Sequence, residues 1–545
     1  MGWINKVMKK AAVKLIEFVE KRDDEIRIKE PLSYATNVLK NRIWYRGDPS
    51  ELDQFFKRVS SSDEITKQRF WAARPSDGHG IRKIHSGLPQ TIIDVVAGIT
   101  GGALESVNIQ FPEKEQKESE NPEDAEKPEI KKINPEETKI NDLWEEIAKD
   151  NEFDELLENA VADALIVGDG AFKISYDTAL SEYPIIEFFS GEQVEYVERK
   201  GRIEKYIFST PFKSGNKEYV LKEIYKKGQI EYEVTDAEGK PQDIKNIPEY
   251  ESLEPFNFSG DFILAEKMTF FKSPKWKGRG RSIYENKTDD FDKLDETISQ
   301  WVDAVRKGRA MRYIPDNMIP YDDDLNPMKP NPFDNDFVAL TNMMGEDEKG
   351  KIQTEQAEIR SAEYAATYSN DLDVCLQGIV SPSTLGIDLK KTDNAEAQRE
   401  KEKTTLHTRK KIMKVLKKVV PRIIETTLKT YDVYKELPER EFEVNATFGE
   451  YAAPDFDSVV ETIGKAKTYQ IMSTKMAIDK LYNETLSDEE KAEELARIQE
   501  ETSLNAVMDE PVLYDDGDQD EEKEEKEEKP KKDKKTEDQE KAKGE

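Results

Sequence analysis

Cysteine and histidine are nearly absent from the chain. Cys375 is the one cysteine in 545 residues, and His79, His85 and His407 are the only histidines. No disulfide framework can form within the chain, and no zinc site of Cys and His can be assembled. A lone cysteine packs as a small hydrophobe, which fits a reducing cytoplasm. Long apolar runs are absent too, so nothing reaches the ~20 residues that span a bilayer. The opening MGWINKVMKKAAVKLIEFVEK reads as an amphipathic helix, because Lys9, Lys10 and Lys14 interrupt the apolar core a signal peptide needs. Gly2 has no Ser or Thr at position 6, so myristoylation is not supported.

Positive charge is also scarce. Lys and Arg number 83 against 115 Asp and Glu, a net of −32. The stretch 515–545 holds 15 acids and 9 bases, net −6, which leaves −26 on the rest. The acidity therefore belongs mainly to the body, and a basic DNA-binding surface is excluded over most of it. Catalytic signatures are missing as well. The glycine-rich spots VGDGAF, ITGG and KGRGRS lack the Lys-Ser/Thr of a phosphate loop and the strand–GxGxxG–helix setting, and read as turn glycines. The acid pairs, Asp289-Asp290 and the run Asp322-Asp323-Asp324, read as solvated faces. His85 has no Ser or Cys motif beside it and is given a structural role. The chain is read as a non-enzyme with no cofactor and no metal ligand set.

What is present is enough apolar surface for a core and a clear change of period along the chain. There are 22 Phe, 21 Tyr and 6 Trp, although mean hydropathy is −0.82. Helical patterns fill the first hundred residues, with a turn at Gly47-Asp48-Pro49 and a short apolar helix after Pro89. Residues 112–138 are charged and proline-punctuated and read as a flexible insertion. INDLWEEIAKDNEFDELLENAVADALIVG reads as one amphipathic helix. The period then falls to two between about Ala171 and Lys272, which predicts one mostly antiparallel sheet. In the second half, Phe291, Leu294, Ile298, Trp301 and Val305 recur at steps of three and four over Ser282–Lys307, a heptad-like seam. At ~1.5 Å per residue that helix would span roughly 39 Å.

A Pro-, Asp- and Asn-rich segment with strand-like AMRYIPD and FVALTNMM follows, and then a second helix. Next comes the polar stretch GIVSPSTLGIDLKKTDNAEAQREKEKTTLHTRKK. A long helix to about Tyr434 follows, with a kink expected at Pro421. REFEVNATFGEY reads as a returning strand. A small helical region to about Thr502 contains a capping box, Ser487 with Glu490, and precedes an acidic tail expected to be disordered.

This order resembles the portal protein of tailed bacteriophages, over nearly the whole chain. Five stretches in series carry the resemblance: NRIWYRGDPSELDQFF, RFWAARPSDGHGIRKIHSGLPQTIIDVVAGI, ADALIVGDGAFKISYD, GRGRSIYENKTDDFDKLDETISQWVDAVRKGRAMRYIP and SPSTLGIDLKKTDNAEAQREKEKTTLHTRKKI. The insertion at 112–138 and the acidic tail fall outside the shared plan. The resemblance implies an α+β portal fold: a wing at 1–275, a stem helix at 276–308, a clip at 309–353, and a second stem helix at 354–379. A tunnel loop at 380–394, a returning wing with a long kinked helix at 395–452, a helical crown at 453–510 and the tail at 511–545 complete it. It also implies a ring at one capsid vertex, usually of twelve subunits, through which double-stranded DNA is packed and later leaves.

Carried onto this sequence, Lys390 and Lys391 become channel-facing residues of the tunnel loop. Phe291, Leu294, Ile298, Trp301 and Val305 become stem packing, and Asp322, Asp323 and Asp324 become clip contacts. The implied partners are further copies of the chain, the terminase large subunit, a head–tail adaptor, and the major capsid and scaffolding proteins. The DNA passes without sequence specificity, and no membrane is involved. The implied location is the virion, with assembly in the host cytoplasm. The rival reading is a non-enzymatic helical scaffold or interaction protein without a channel, which would explain the acidity and the missing catalytic motif.

Overall fold

The computed structural model describes residues 32–60, 68–74, 81–112, 135–251, 253–308, 311–315, 319, 321, 337–340, 353–356, 358–387, 402–438, 440–449, 451, 456–469, 471–482 and 491–498. Local chemistry sets the first helices. Ser33 caps α1 (Tyr34–Arg46) by accepting the Thr36 N–H at 3.2 Å, and Gly47 ends it in the left-handed region. Asp48 then caps α2 (Pro49–Val59), with Pro49 at the first position where no N–H is needed. The apolar α3 (Leu88–Gly98) follows, and then a strand that period reading missed, β1 (Leu104–Gln110).

The helix expected over INDLWEEIAKDNEFDELLENAVADALIVG is two helices, α4 (Pro135–Asp150) and α5 (Phe153–Val167). Glu152 between them has φ of 47°. Asn151 stabilises the break: its Nδ2 donates to the Ile147 and Pro184 carbonyls, and its Oδ1 accepts the Ile186 N–H at 2.7 Å. An asparagine able to bond three backbone groups outcompetes continued helix here. Pro135–Thr138, assigned to the insertion by composition, form the first turn of α4.

The single sheet expected next is two sheets. β2 (Asp169–Ser175), β3 (Ile185–Ser190) and the later β10 (Ala265–Thr269) form one antiparallel sheet in the order β10-β2-β3. Between β3 and β10 lie β4 (Val194–Arg199), β5 (Arg202–Ser214), β6 (Lys217–Lys226), β7 (Gln229–Asp236), β8 (Pro241–Gln242) and β9 (Phe256–Asn257). These form a six-stranded sheet of hairpins, in which β9 pairs with β7 off the main path. The two sheets share one core, in which Phe189, Phe208 and Tyr225 gather, while Phe172 and Met268 of the three-stranded sheet belong to the main helical core.

Beyond β10 the chain forms α6 (Thr288–Lys307), preceded by a short 3-10 turn at Glu285–Lys287. The helix is thus shorter than Ser282–Lys307, about 30 Å at ~1.5 Å per residue. Three short strands follow, β11 (Met311–Pro315), β12 (Phe337–Leu340) and β13 (Gln353–Glu355). β11 pairs parallel with β12 and antiparallel with β13. The second helix, α7, spans Ser361–Leu376 and not 354–379: β13 takes up Gln353–Glu355 before it, and Gly378 at φ of 79° follows its end.

The long helix α8 (Lys403–Tyr434) continues through Pro421 without ending there, and it buries Ile412, Leu416, Val420, Ile423, Ile424 and Leu428 in the main core. β14 (Glu443–Phe448) returns to pair antiparallel with β1. Asn141 of α4 clamps β1, accepting the Ile109 N–H and donating to the Ile109 carbonyl, both at 2.9 Å. A break in contacts at Ala453/Pro454 divides the chain into two units. The second contains α9 (Phe456–Thr468), α10 (Thr474–Leu481) and a helical stretch at 491–498. The fold is α+β. The opening amphipathic stretch, the charged insertion from 113 to 134, Ser487 with Glu490, and the acidic tail lie outside the described residues.

Candidate functional site

Two of the three glycine-rich spots, VGDGAF and KGRGRS, meet at the root of α6. A Cβ on Gly280 would run into the Gly168 carbonyl, so the end of α5 and the entry to α6 approach as only glycine permits. Asp169, fully buried, accepts the Gly280 N–H and lies 3.4 Å from Arg279, whose guanidinium also donates to the Val194 and Gly191 carbonyls. Ser282 Oγ and the Ile283 N–H both reach the Leu165 carbonyl at 3.0 Å, and the Tyr284 hydroxyl donates to the Asn41 carbonyl at 2.9 Å. The helix therefore leaves the core at a fixed angle.

The faces of α6 then divide the work. Phe291 and Leu294 are buried in the main core, and the Phe291 ring lies 5.9 Å from Trp44 and from Tyr284. A second, polar face is buried against the chain at 68–74 and 81–86. Asp292 accepts the Phe70 N–H at 2.8 Å and the Trp71 N–H at 3.2 Å. Asp295, wholly buried, accepts Trp71 Nε1–H at 3.1 Å and the Ser86 N–H at 2.9 Å, and pairs with His85 Nδ1 at 2.7 Å. Ser299 Oγ accepts the Ile84 N–H at 2.9 Å. Burial pushes the Asp292 carboxyl up to about 6, against two backbone N–H bonds that pull it down.

The third face takes α7. Thr297 Oγ1 donates to Asp371 at 2.7 Å, Lys293 pairs with the other oxygen of that carboxylate at 2.7 Å, and Lys287 Nζ reaches the Val374 carbonyl at 2.6 Å. Further out, Trp301 stacks on Tyr364 with centroids 6.2 Å apart and planes 7° apart, and Tyr368 tilts against it at 6.4 Å. Residues late in α6 meet residues early in α7, so the pair is antiparallel. Ile298 is partly buried, Trp301 half-buried, and Val305 is 49% exposed. Cys375 on α7 is fully buried, and burial pushes its thiol up to about 12, so it is unreactive.

Of the seam residues, then, Phe291 and Leu294 sit in the core, Ile298 is partly buried against it, Trp301 lies along the helix pair, and Val305 is half exposed. Lys390, Lys391, Asp322, Asp323 and Asp324 lie outside the described residues. The start of the polar stretch is described. Pro382–Leu385 forms a 3-10 turn that Ser381 precedes and Gly386 closes at φ of 71°, and Ser381 N–H and Thr384 Oγ1 bond Thr405 Oγ1 of α8 at 2.9 and 2.6 Å. This first part of the loop is anchored up to the turn. Sequence reading missed Asp292, Asp295 and Ser299. Their spacing of three and four was a visible polar stripe, hidden among the acids of TDDFDKLDETISQ.

Among the described residues no group of three or more His, Cys, Asp or Glu could hold a metal ion, and no helix is long and apolar enough to cross a membrane. No protein-family model matches the chain, and no curated protein matches it. Three similar solved structures come from gene transfer agent (GTA) particles. The first is described as the neck of a native GTA particle computed with C12 symmetry: 12% identity over 72% of this chain and 89% of that one, TM-score 0.39. The second, the virion of a native particle, shows 11% identity over 84% and 93%, TM-score 0.35. The third, the neck of an empty particle computed with C6 symmetry, shows 11% identity over 72% and 89%, TM-score 0.33.

Proposed function

We propose that the chain is a portal protein, a structural subunit of a phage-like head and neck that assembles into a closed ring at one capsid vertex. The observation that carries this reading is the helix pair α6–α7. It is locked into the core at its root, carries the small β11–β12–β13 sheet between its distal ends, and leaves Val305 exposed beside the Trp301–Tyr364 stack. An apolar flank at the outer half of a rigid helix needs neighbours, and copies around an axis supply them. The resemblance of the five sequence stretches to portal proteins gives the ring its function: a channel for DNA packed by the terminase motor, and a platform for the head–tail adaptor.

In that ring α6 and α7 are the stem, the three-stranded sheet is the clip, and the second unit is the crown. Asp322, Asp323 and Asp324 contact the motor or adaptor. Lys390 and Lys391 line the channel, where a few bases on an acidic body give weak, exchangeable phosphate contacts and do not grip the duplex. The subunit number proposed is twelve. Native mass spectrometry of the purified full chain tests the reading: a discrete closed oligomer supports it. A monomer at every concentration would support the helical scaffold instead. Once rings form, Lys390→Ala with Lys391→Ala should alter the length or retention of packaged DNA while assembly is unchanged.

A further inference from the structure

The six-stranded sheet concentrates positive charge at one end, in a protein that is otherwise strongly acidic. The β4–β5 turn and the β6–β7 turn lie at this same end and line a groove of about 1080 Å³. Arg199, Lys200, Arg202, Lys205, Lys226 and Lys227 line it, with Val197 and Ile203 as partly buried apolar residues. Three are neutralised nearby: Lys226 by Glu231 at 2.6 Å, Lys227 by Asp261 at 2.8 Å, and Arg199 more loosely by Glu204 at 3.6 Å. Among the described residues Lys200, Arg202 and Lys205 have no carboxylate within pairing distance.

Three local choices here work against stability. Arg199 is paired across the ladder with Arg202, and Lys205 with Lys226, so like charges stand opposite each other twice. In the two-residue turn both Lys200 and Gly201 have positive φ, 51° and 77°. A turn of this shape favours Asn-Gly, and a lysine in the left-handed region is disfavoured. All three choices add positive charge at one place. Backbone strain combined with like-charge pairing is an arrangement kept for contact with something else.

The same unit has an opposite feature. A recess of about 620 Å³ between α4, α5 and β1 carries Glu105, Glu145, Glu152, Asp154 and Glu155 on its exposed rim, five acids against the single base Lys149, over Trp144 and Phe153. None of these five acids has a cation within pairing distance among the described residues. We infer that the basic end of the six-stranded sheet, centred on Arg199, Lys200 and Arg202, is a contact surface for the acidic recess of a second copy of this chain. Two different patches meeting head to tail make the kind of contact that closes a ring. Subunits that repel one another by net charge need such local complementarity to find their register. A protein surface fits the groove better than nucleic acid does. Glu204, Glu231 and Asp261 interleave with the bases and would repel a phosphate backbone, and no aromatic side chain lines the groove to stack on bases.

This inference rests on the ring reading, and the test separates the two. Full-length chain is compared with three variants: Lys200→Glu with Arg202→Glu, Glu145→Lys with Glu152→Lys, and all four together. Each is checked for an unchanged thermal midpoint, and its assembly is followed by mass photometry between low and high salt. The expected result is wild-type assembly that weakens as salt rises. Each double reversal alone should need about tenfold more protein to assemble, and the fourfold variant should recover most of that loss. Wild-type-like assembly by both double reversals would overturn the contact, as would a fourfold variant that recovers nothing. Duplex DNA binding abolished by Lys200→Glu with Arg202→Glu, with assembly unchanged, would overturn it in favour of a nucleic-acid surface. A wild-type chain that never assembles removes the ring reading itself, and the inference with it.

Discussion

The two halves of α6 are built on different principles. Its root half, Thr288 to Ser299, is held by its own chain on three faces: Phe291 and Leu294 in the core, Asp292, Asp295 and Ser299 against residues 68–74 and 81–86, and Thr297 on Asp371. Its outer half has one partner helix, a Trp301–Tyr364 stack and an exposed Val305. The root half explains why the subunit folds. The outer half is where the proposed ring would place a neighbouring copy. Stability and assembly should therefore separate along a single helix.

Substitutions can break that separation. Phe291→Ala removes a fully buried ring that packs on Trp44 and Tyr284, and should cost about 3–5 kcal/mol, read as a large fall in the thermal or denaturant midpoint of the subunit. Asp295→Ala leaves the Trp71 indole N–H, the Ser86 N–H and the His85 ring without their acceptor and should cost about 3 kcal/mol, with faster hydrogen exchange at Trp71 and Ser86. If either variant lost assembly but kept subunit stability, the division between the halves would be wrong.

Asp292 sharpens the comparison through pH. Its folded pKa of about 6 stands above the ordinary 3.8. Between those values the folded state holds a proton that the unfolded state has released, so stability from this group falls as pH rises from about 4 through 6. The difference, about two pKa units, corresponds to about 3 kcal/mol at most. Asp292→Asn should flatten this part of the stability–pH curve, measured by urea midpoints. An unchanged slope would show that the carboxylate is ionised throughout. Further along the helix, Thr297→Val removes one hydrogen bond to Asp371, which keeps Lys293, and should cost only about 1 kcal/mol.

The smallest effect on the subunit belongs to the outermost residue. Val305→Asp should change subunit stability by under about 0.5 kcal/mol, because the side chain is half exposed and touches little. It should nevertheless reduce assembly, since it places a charge on the flank that neighbours would cover in the proposed ring. A variant that assembles normally would remove Val305 from any subunit contact.

The sequence made some of this architecture plain and concealed the rest for physical reasons. Alternation exposed the hairpin strands β4 to β7, which are partly solvent-facing, whereas β2 is buried on both faces; steps of three and four exposed α6 because its apolar residues recur on one side. β1 was invisible: LESVNIQ has an irregular burial pattern, and its partner β14 lies far along the chain. The break between α4 and α5 depends on Asn151 reaching the Pro184 carbonyl and the Ile186 N–H, contacts no window of sequence contains. The same holds for the division into two sheets. At the candidate site the apolar stripe of α6 was legible and its buried acids were not. In a chain with 115 Asp and Glu, a carboxylate that accepts backbone N–H groups looks like one that faces water. The meeting of VGDG with GRGRS was hidden likewise, because close approach of two backbones leaves no mark beyond glycine itself.

The claim that the outer half of α6 is completed by neighbouring copies is tested most directly by single-particle electron microscopy of the purified full-length protein. The account expects a closed ring with an axial opening, in which Trp301 and Val305 of each copy lie against the helix pair of the next. Monomers at every concentration and salt, or a ring in which this flank faces open solvent, would contradict it.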